Sequence, residues 1–121
     1  MLRMVIAVLV AAALAACASP LSGQYASGNG KTLRVAKNVW EGYKQYVVLL
    51  KGTNSGEFVV AALDGVALGY TARYCPGTRC MVQGNSVGQL MDECKGMGQG
   101  VECILFARSS DILVDYKLVE E

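Results

Sequence analysis

The 121-residue chain has 11 basic and 10 acidic side chains, and it contains no histidine. Without histidine, this chain cannot build a Ser-His-Asp or Cys-His catalytic site, and it lacks the usual zinc ligand. The near-zero net charge provides no basic stripe that could follow a phosphate backbone, so we expect no nucleic-acid partner.

The first residues follow the order of an export signal. Arg3 precedes a run of apolar residues, 4–15, and small residues lead from there to Cys17. A basic start, a short apolar core and a small-residue exit are typical of a secretory signal, and the run is too short to span a membrane. The sequence predicts a signal helix and signal peptide over residues 1–16.

The end of that run carries a more specific motif. Leu14-Ala15-Ala16-Cys17 resembles the lipobox of bacterial lipoproteins, in which the cysteine becomes the lipidated first residue of the mature protein. The resemblance implies palmitate and other acyl chains on Cys17 and a membrane partner. It also implies an outer-membrane location, because Ala18 is not the aspartate of an inner-membrane retention signal. The alternative is an ordinary cleaved signal with a chance cysteine.

Residues 17–31 are rich in Ser, Gly and Ala, a composition that favours a flexible tether. The remaining residues, 32–121, have the size of a single domain. Its first predicted element is a helix over 32–50, with Thr32 as its cap. The prediction depends on apolar residues at steps of three and four: Leu33, Ala36, Trp40, Tyr43, Val47 and Leu50.

Aromatic side chains in this part of the chain allow two interpretations. Trp40, Tyr43 and Tyr46 follow each other at three-residue steps, and Tyr70 and Tyr74 share one face of a predicted strand. At helical spacing, such residues are more often core than binding surface, and we expect the core. The alternative is an exposed aromatic surface that binds a partner.

Further along the chain the elements become shorter. Strands are predicted over 58–63 and 66–74, joined by the hairpin turn Asp64-Gly65. A short helix over 86–95 follows, and then strands over 101–107 and 112–119. The expected class is α+β, with two helices and a small antiparallel sheet of about four strands in two hairpins.

Five cysteines are an odd number, and assigning Cys17 to lipid leaves four. In an oxidising periplasm, four thiols are expected to form two disulfides, for which three pairings are possible. We favour the local pairs, Cys75–Cys80 and Cys94–Cys103. The spacing is not that of a zinc ribbon, so we predict no metal and no cofactor.

The mature part also resembles a small cysteine-containing periplasmic domain of proteobacteria that has no established activity. The resemblance covers roughly residues 39–118 and supports the fold and the disulfides. It is carried by Trp40, Tyr43, Tyr46, Gly56 to Ala61, Asp64-Gly65, Gly69-Tyr70, Tyr74-Cys75, Cys80, Cys94 and Cys103 to Ala107.

The sequence leaves two classes of function open. The first is a non-enzymatic interaction or structural module of the cell envelope, held at the membrane through Cys17 and binding another envelope protein. The second is a periplasmic inhibitor or immunity-type protein that binds a secreted enzyme or toxin. An enzyme is not expected, because histidine, the residue that most often acts as general base, is missing.

Overall fold

The computed structural model describes residues 20–50, 55–74 and 86–119. As predicted, the fold is α+β: a curled mixed sheet carries one α-helix on each face. The elements in chain order are a 3-10 helix (Pro20–Tyr25), β1 (Leu33–Val35), α1 (Lys37–Leu49), β2 (Gly56–Leu63), β3 (Val66–Tyr74), α2 (Ser86–Lys95), β4 (Glu102–Arg108), β5 (Asp111–Ile112) and β6 (Tyr116–Leu118).

The hairpin of β2 and β3 is confirmed. Asp64 and Gly65 have φ angles of 53° and 81°, the left-handed conformation that a tight two-residue hairpin turn requires at both positions. The antiparallel register is interrupted once, because Ala61 pairs with Gly69 whereas the next residue already pairs with Ala67. Leu68 is the extra residue of this bulge, and its side chain is exposed.

The sheet is larger and less regular than predicted. Six strands follow the order β5-β4-β2-β3-β1-β6, whereas about four were expected. The prediction of purely antiparallel pairing is also wrong, because β1 pairs in parallel with both β3 and β6. Short turns favour antiparallel neighbours, but β1 reaches its neighbours across long stretches of chain that leave no local signal.

The single last strand predicted over 112–119 is divided in two. β5 and β6 lie at opposite edges of the sheet, although only residues 113–115 separate them along the chain. Between them, Val114 forms an isolated bridge with Ala26. Since three residues connect the two outermost strands, the sheet must curl until its edges approach each other.

One face of the sheet packs against α1 around a core of aromatic rings. Phe58 lies at the centre, and its ring centroid is 5.1–5.9 Å from those of four other rings. Those rings belong to Tyr43, Tyr46, Tyr70 and Phe106. The helix is therefore held mainly by aromatic packing across the strands beneath it.

The opposite face packs against α2. Leu90 and Cys94 of the helix are buried against Val59 and Leu105 of the sheet. A disulfide joins Cys94 to Cys103 of β4, which confirms one of the two predicted pairs. The other predicted pair, Cys75 and Cys80, lies outside the described residues, as does Cys17.

The start of the predicted first helix is wrong. Residues 33–35 form β1, and α1 begins only at Lys37 after Ala36 in an extended conformation. Leu33 and Val35 are both fully buried while Arg34 between them is exposed, so the strand period of two decides the local structure. Thr32 consequently does not cap the helix, whose first turn has no side-chain cap.

The predicted tether over 17–31 does not extend through residues 20–29. Pro20–Tyr25 form a 3-10 helix, and Ser22 is fully buried, with its hydroxyl donating to the Leu105 carbonyl at 2.7 Å. Residues 20–25 are therefore part of the folded domain. No helix in the three described ranges is long and apolar enough to cross a membrane.

Gly42 provides the close approach between α1 and β3. A Cβ atom built on this residue would overlap the far end of the Tyr70 ring, which itself stacks on Phe58. Glycine costs about 1 kcal/mol relative to alanine inside a helix. Here the absence of a side chain allows Tyr70 to lie flat between the helix and the sheet.

We expect Gly42→Ala to lower the free energy of unfolding by about 1–2 kcal/mol, because Tyr70 must leave its position on Phe58. In a Tyr70→Ala background, the same substitution should instead raise stability by up to ~1 kcal/mol through helix propensity. Urea unfolding of the four proteins of this cycle measures both values. An increase in stability for Gly42→Ala alone would contradict the packing described here.

Candidate functional site

The aromatic stripe of α1 lies mostly in the core. Tyr43 and Tyr46 are buried, and their hydroxyls donate to the carbonyls of Ser110 at 3.4 Å and Ser109 at 2.8 Å. Both tyrosines thus connect α1 to the turn between β4 and β5. This position agrees with the core interpretation and removes these two residues from any exposed binding surface.

The surroundings of both tyrosines keep them protonated. Burial is the main cause that raises the pKa of Tyr46, with a smaller effect from the nearby Glu57 carboxylate. Burial also raises the pKa of Tyr43, with smaller contributions from Tyr116 and Asp111. Neutral phenols that donate to carbonyls have a structural role, and they are poor candidates for proton transfer near neutral pH.

These pKa shifts predict a loss of stability at alkaline pH. The folded pKa values lie above that of an unfolded tyrosine, about 10. Above that pH the unfolded chain releases protons that the folded chain retains, so unfolding becomes more favourable. We expect the free energy of unfolding to fall above about pH 10, and to fall less steeply in Tyr46→Phe. Equal slopes for the two proteins in urea unfolding at increasing pH would contradict this.

Trp40 has partners within the domain. Its indole is half-buried and stacks on Tyr43 at 5.2 Å and on Tyr116 at 5.4 Å. Tyr116 in turn packs edge-on against Phe106. Trp40 therefore connects α1 to β6, and its ring is not a free stacking platform.

Tyr70 and Tyr74 differ from the other candidate aromatics because they remain exposed. Their accessible fractions are 39% and 43%, and they lie on the same strand of the hairpin, four residues apart. Tyr70 also contacts α1 at Gly42. Both tyrosines belong to the strand that contacts this helix.

The helix runs along β3 in the same direction as the strand. At its start, the amide of Asn38 donates to the Leu68 carbonyl at 3.1 Å, and one turn later Gly42 meets Tyr70. Beyond the end of the helix, Leu50 lies beside Gly56, the residue paired with Tyr74. Residues of the last helical turn therefore lie at the level of Tyr74.

The outer face of α1 presents two strongly exposed apolar residues in that last turn. Val48 is 67% exposed and Leu49 is 49% exposed. They border an open groove of about 440 Å³, whose other described lining residues are Glu41, Lys44 and Gln45. We call Val48, Leu49, Tyr70 and Tyr74 together the α1 patch.

Val48 and Leu49 are not among the binding-surface residues predicted from the sequence. A signal was present, because 47–50 is a run of four apolar residues and a helix cannot bury four consecutive positions on one face. Leu50 is buried, whereas Val47 is exposed along with Val48 and Leu49. The expected burial of Val47 is thus wrong, and the first three residues of the run lie at the surface.

A second, smaller groove of about 300 Å³ lies near the tip of the hairpin. Its lining includes Leu63, Leu68 and Met97, all of which are exposed. The Met97 sulfur lies 3.3 Å from where a Cβ on Gly69 would be, so the absence of a side chain on Gly69 leaves room for Met97. The described residues that line this groove include none from α1 and none of the candidate aromatics.

The polar chemistry of the described residues is sparse. Glu93 of α2 accepts hydrogen bonds from Thr71 and Arg73, both at 3.3 Å, on an exposed surface. Within the described ranges, no group of three or more Cys, Asp or Glu side chains is arranged to hold a metal ion. The α1 patch is therefore the best candidate site, and its chemistry is apolar and aromatic.

Comparisons with protein-family models, with curated proteins and with solved structures find no match for this chain. The resemblance to a periplasmic domain of proteobacteria accordingly stays a prediction, as does the lipobox.

Proposed function

We propose that this protein is a bacterial lipoprotein of the outer membrane, attached through Cys17, whose domain acts as a non-enzymatic interaction module. The observation that carries the proposal is the order of the N-terminal sequence: Arg3, the apolar run 4–15 and Leu14-Ala15-Ala16-Cys17. A structural disulfide between Cys94 and Cys103 is in keeping with an exported protein, since such bonds persist in oxidising compartments.

Two observations favour binding over catalysis. The chain has no histidine, and the groups whose pKa values are raised are the structural phenols of Tyr43 and Tyr46. The described polar residues that line the groove beside the α1 patch are Glu41, Lys44 and Gln45. The α1 patch itself consists of aliphatic and aromatic side chains. Such a surface suits contact with an apolar segment of another protein.

The charges around the groove select among partners. Glu41 and Lys44 pair with each other at 3.2 Å, so the described residues that line the groove carry no net charge. A lining without net charge does not favour an acidic peptide or a nucleic acid. We propose that the α1 patch binds an uncharged apolar segment of an envelope protein in the same membrane or in the periplasm.

Site-specific photo-crosslinking in intact cells tests this. A photo-reactive residue at Val48 should crosslink one envelope protein, and the product should disappear when Tyr74→Asp is added. The same probe at Lys117, an exposed position in β6 at the edge of the sheet, is the matched control and should give no such product. If the protein crosslinked at Val48 is a secreted enzyme or toxin, the result would support the inhibitor function and contradict the interaction module. Equal products from both positions would contradict a specific patch.

A further inference from the structure

The segment that precedes β1 is fastened to the sheet, and this restricts where the domain can lie. β5 pairs with β4 only at Ala107 and Arg108, so the outward carbonyl of Leu105 has no strand partner on that side. The buried hydroxyl of Ser22 donates to that carbonyl at 2.7 Å. The 3-10 helix Pro20–Tyr25 therefore completes the open edge of β4.

The same segment is held again where it leaves β4. The Ser27 amide donates to the Leu113 carbonyl at 2.9 Å, and the Asp115 amide donates to the Tyr25 carbonyl at 3.1 Å. One side-chain hydrogen bond to β4 and two backbone hydrogen bonds to residues 113–115 fix residues 22–27 to the domain. Residues 22–27 therefore cannot act as an extended tether that would let the domain move away from a membrane anchor.

The covalent distance to the proposed anchor is short. Cys17 precedes Pro20 by three residues, and three residues of fully extended chain span at most about 11 Å. A domain of this size has a radius of gyration of roughly 13 Å. The chain between Cys17 and Pro20 is thus shorter than the domain is wide. The surface around Pro20 must therefore lie close to the lipid headgroups.

The exposed side chain next to this point is apolar. Leu21 follows Pro20 directly and is 39% exposed, although the segment after it is largely polar or glycine. An aliphatic side chain held at the level of the headgroups is stabilised when it enters the boundary between headgroups and acyl chains, because its apolar surface is then removed from water. The basic and acidic residues after the signal are equal in number, so this contact does not need anionic lipid.

We infer that the β4 edge, covered by the 3-10 helix with Leu21 at its start, is a membrane-contact surface on the bilayer that holds the anchor. The inference rests on the proposed lipidation of Cys17. It deepens that proposal by fixing the side of the domain that faces the lipid. Tyr70 and Tyr74 of the α1 patch belong to β3, which is two strands away from β4 in the sheet.

The test uses the full lipidated protein in vesicles of phosphatidylethanolamine and phosphatidylglycerol. A photo-reactive residue at position 21 should form adducts with lipid, whereas the same residue at position 48 should form several-fold fewer. A flexible Gly-Ser insertion of roughly twelve residues after Ser19, which spans about 20 Å, should lower the adducts at position 21 several-fold. Thermal melting of each variant establishes that the domain is folded.

The outcomes separate the two proposals. Equal lipid adducts at positions 21 and 48, or no effect of the insertion, overturn the contact surface. If intact mass spectrometry still shows an acylated Cys17, the anchor itself is not contradicted. An intact mass without acyl chains on Cys17 overturns the anchor and the contact surface together. Adducts at position 21 that persist in vesicles of phosphatidylcholine alone support an apolar contact; their dependence on phosphatidylglycerol contradicts it.

Discussion

Replacing Phe58 with alanine should lower the free energy of unfolding by about 3–5 kcal/mol, the usual cost of emptying a buried aromatic site. Phe58 is fully buried and packs against four aromatic rings from α1, β3 and β4. Its removal leaves a cavity at the point where these elements meet. Small domains have a total stability of about 5–15 kcal/mol, so the loss is a large share of it.

Urea unfolding monitored by circular dichroism measures this effect. Leu63→Ala, an exposed position on the same strand, is the matched control and should change stability by about 0.5 kcal/mol or less. A cost below about 1.5 kcal/mol for Phe58→Ala would mean that the helix α1 is not held by this aromatic core.

The second large effect concerns the disulfide between α2 and β4. The double variant Cys94→Ala/Cys103→Ala should lower the free energy of unfolding by about 2–3 kcal/mol, because the bond closes a short loop in the unfolded chain. For a domain of this size, that change corresponds to a decrease in Tm of about 10–20 °C. Replacing both cysteines avoids a free thiol that could pair elsewhere.

Reduction distinguishes this bond from the predicted Cys75–Cys80 pair. A reducing agent should decrease the Tm of the wild type by at least as much as the double substitution does. Any further decrease in the reduced double variant measures the contribution of Cys75–Cys80. An unchanged Tm for the double variant would show that Cys94–Cys103 does not stabilise the fold.

The parts of the fold that the sequence predicts correctly are those with local signals. Asp64-Gly65 between two apolar runs defines both the turn and the register of β2 and β3. Helix α2 is found over residues 86–95, and Leu90 and Cys94 are its buried apolar residues. These elements need no information from distant parts of the chain.

The parts that the sequence misses depend on pairing between distant residues. Leu33 fits a helical repeat with Ala36 and equally fits a strand repeat with Val35, and only the pairing of β1 with β3 and β6 decides between the two. Ser22 lies in a segment rich in Ser and Gly, and its burial depends on a carbonyl of β4 that is 83 residues away. The local composition predicts a tether there, because a hydrogen bond to a residue so far along the chain cannot be seen in the composition of the segment.

The candidate site is predicted in part. Helical spacing correctly places Tyr43 and Tyr46 in the core, and the strand spacing correctly puts Tyr70 and Tyr74 on one strand. Their exposure could not be predicted, because it depends on how far α1 covers β3. Val48 and Leu49 could have been found from the four-residue apolar run, but the sequence does not show which end of the run is buried.

The central claim is that Cys17 anchors this domain to a membrane, and one measurement tests it most directly. Intact mass spectrometry of the protein from fractionated cells, for the wild type and Cys17→Ser, reports cleavage and acylation together. We predict a wild-type chain that begins at an acylated Cys17 in the membrane fraction, and a Cys17→Ser chain without acyl groups in the soluble periplasm. A wild-type chain with unmodified Cys17 in the soluble fraction, or a Cys17→Ser chain that stays with the membrane, would contradict the account.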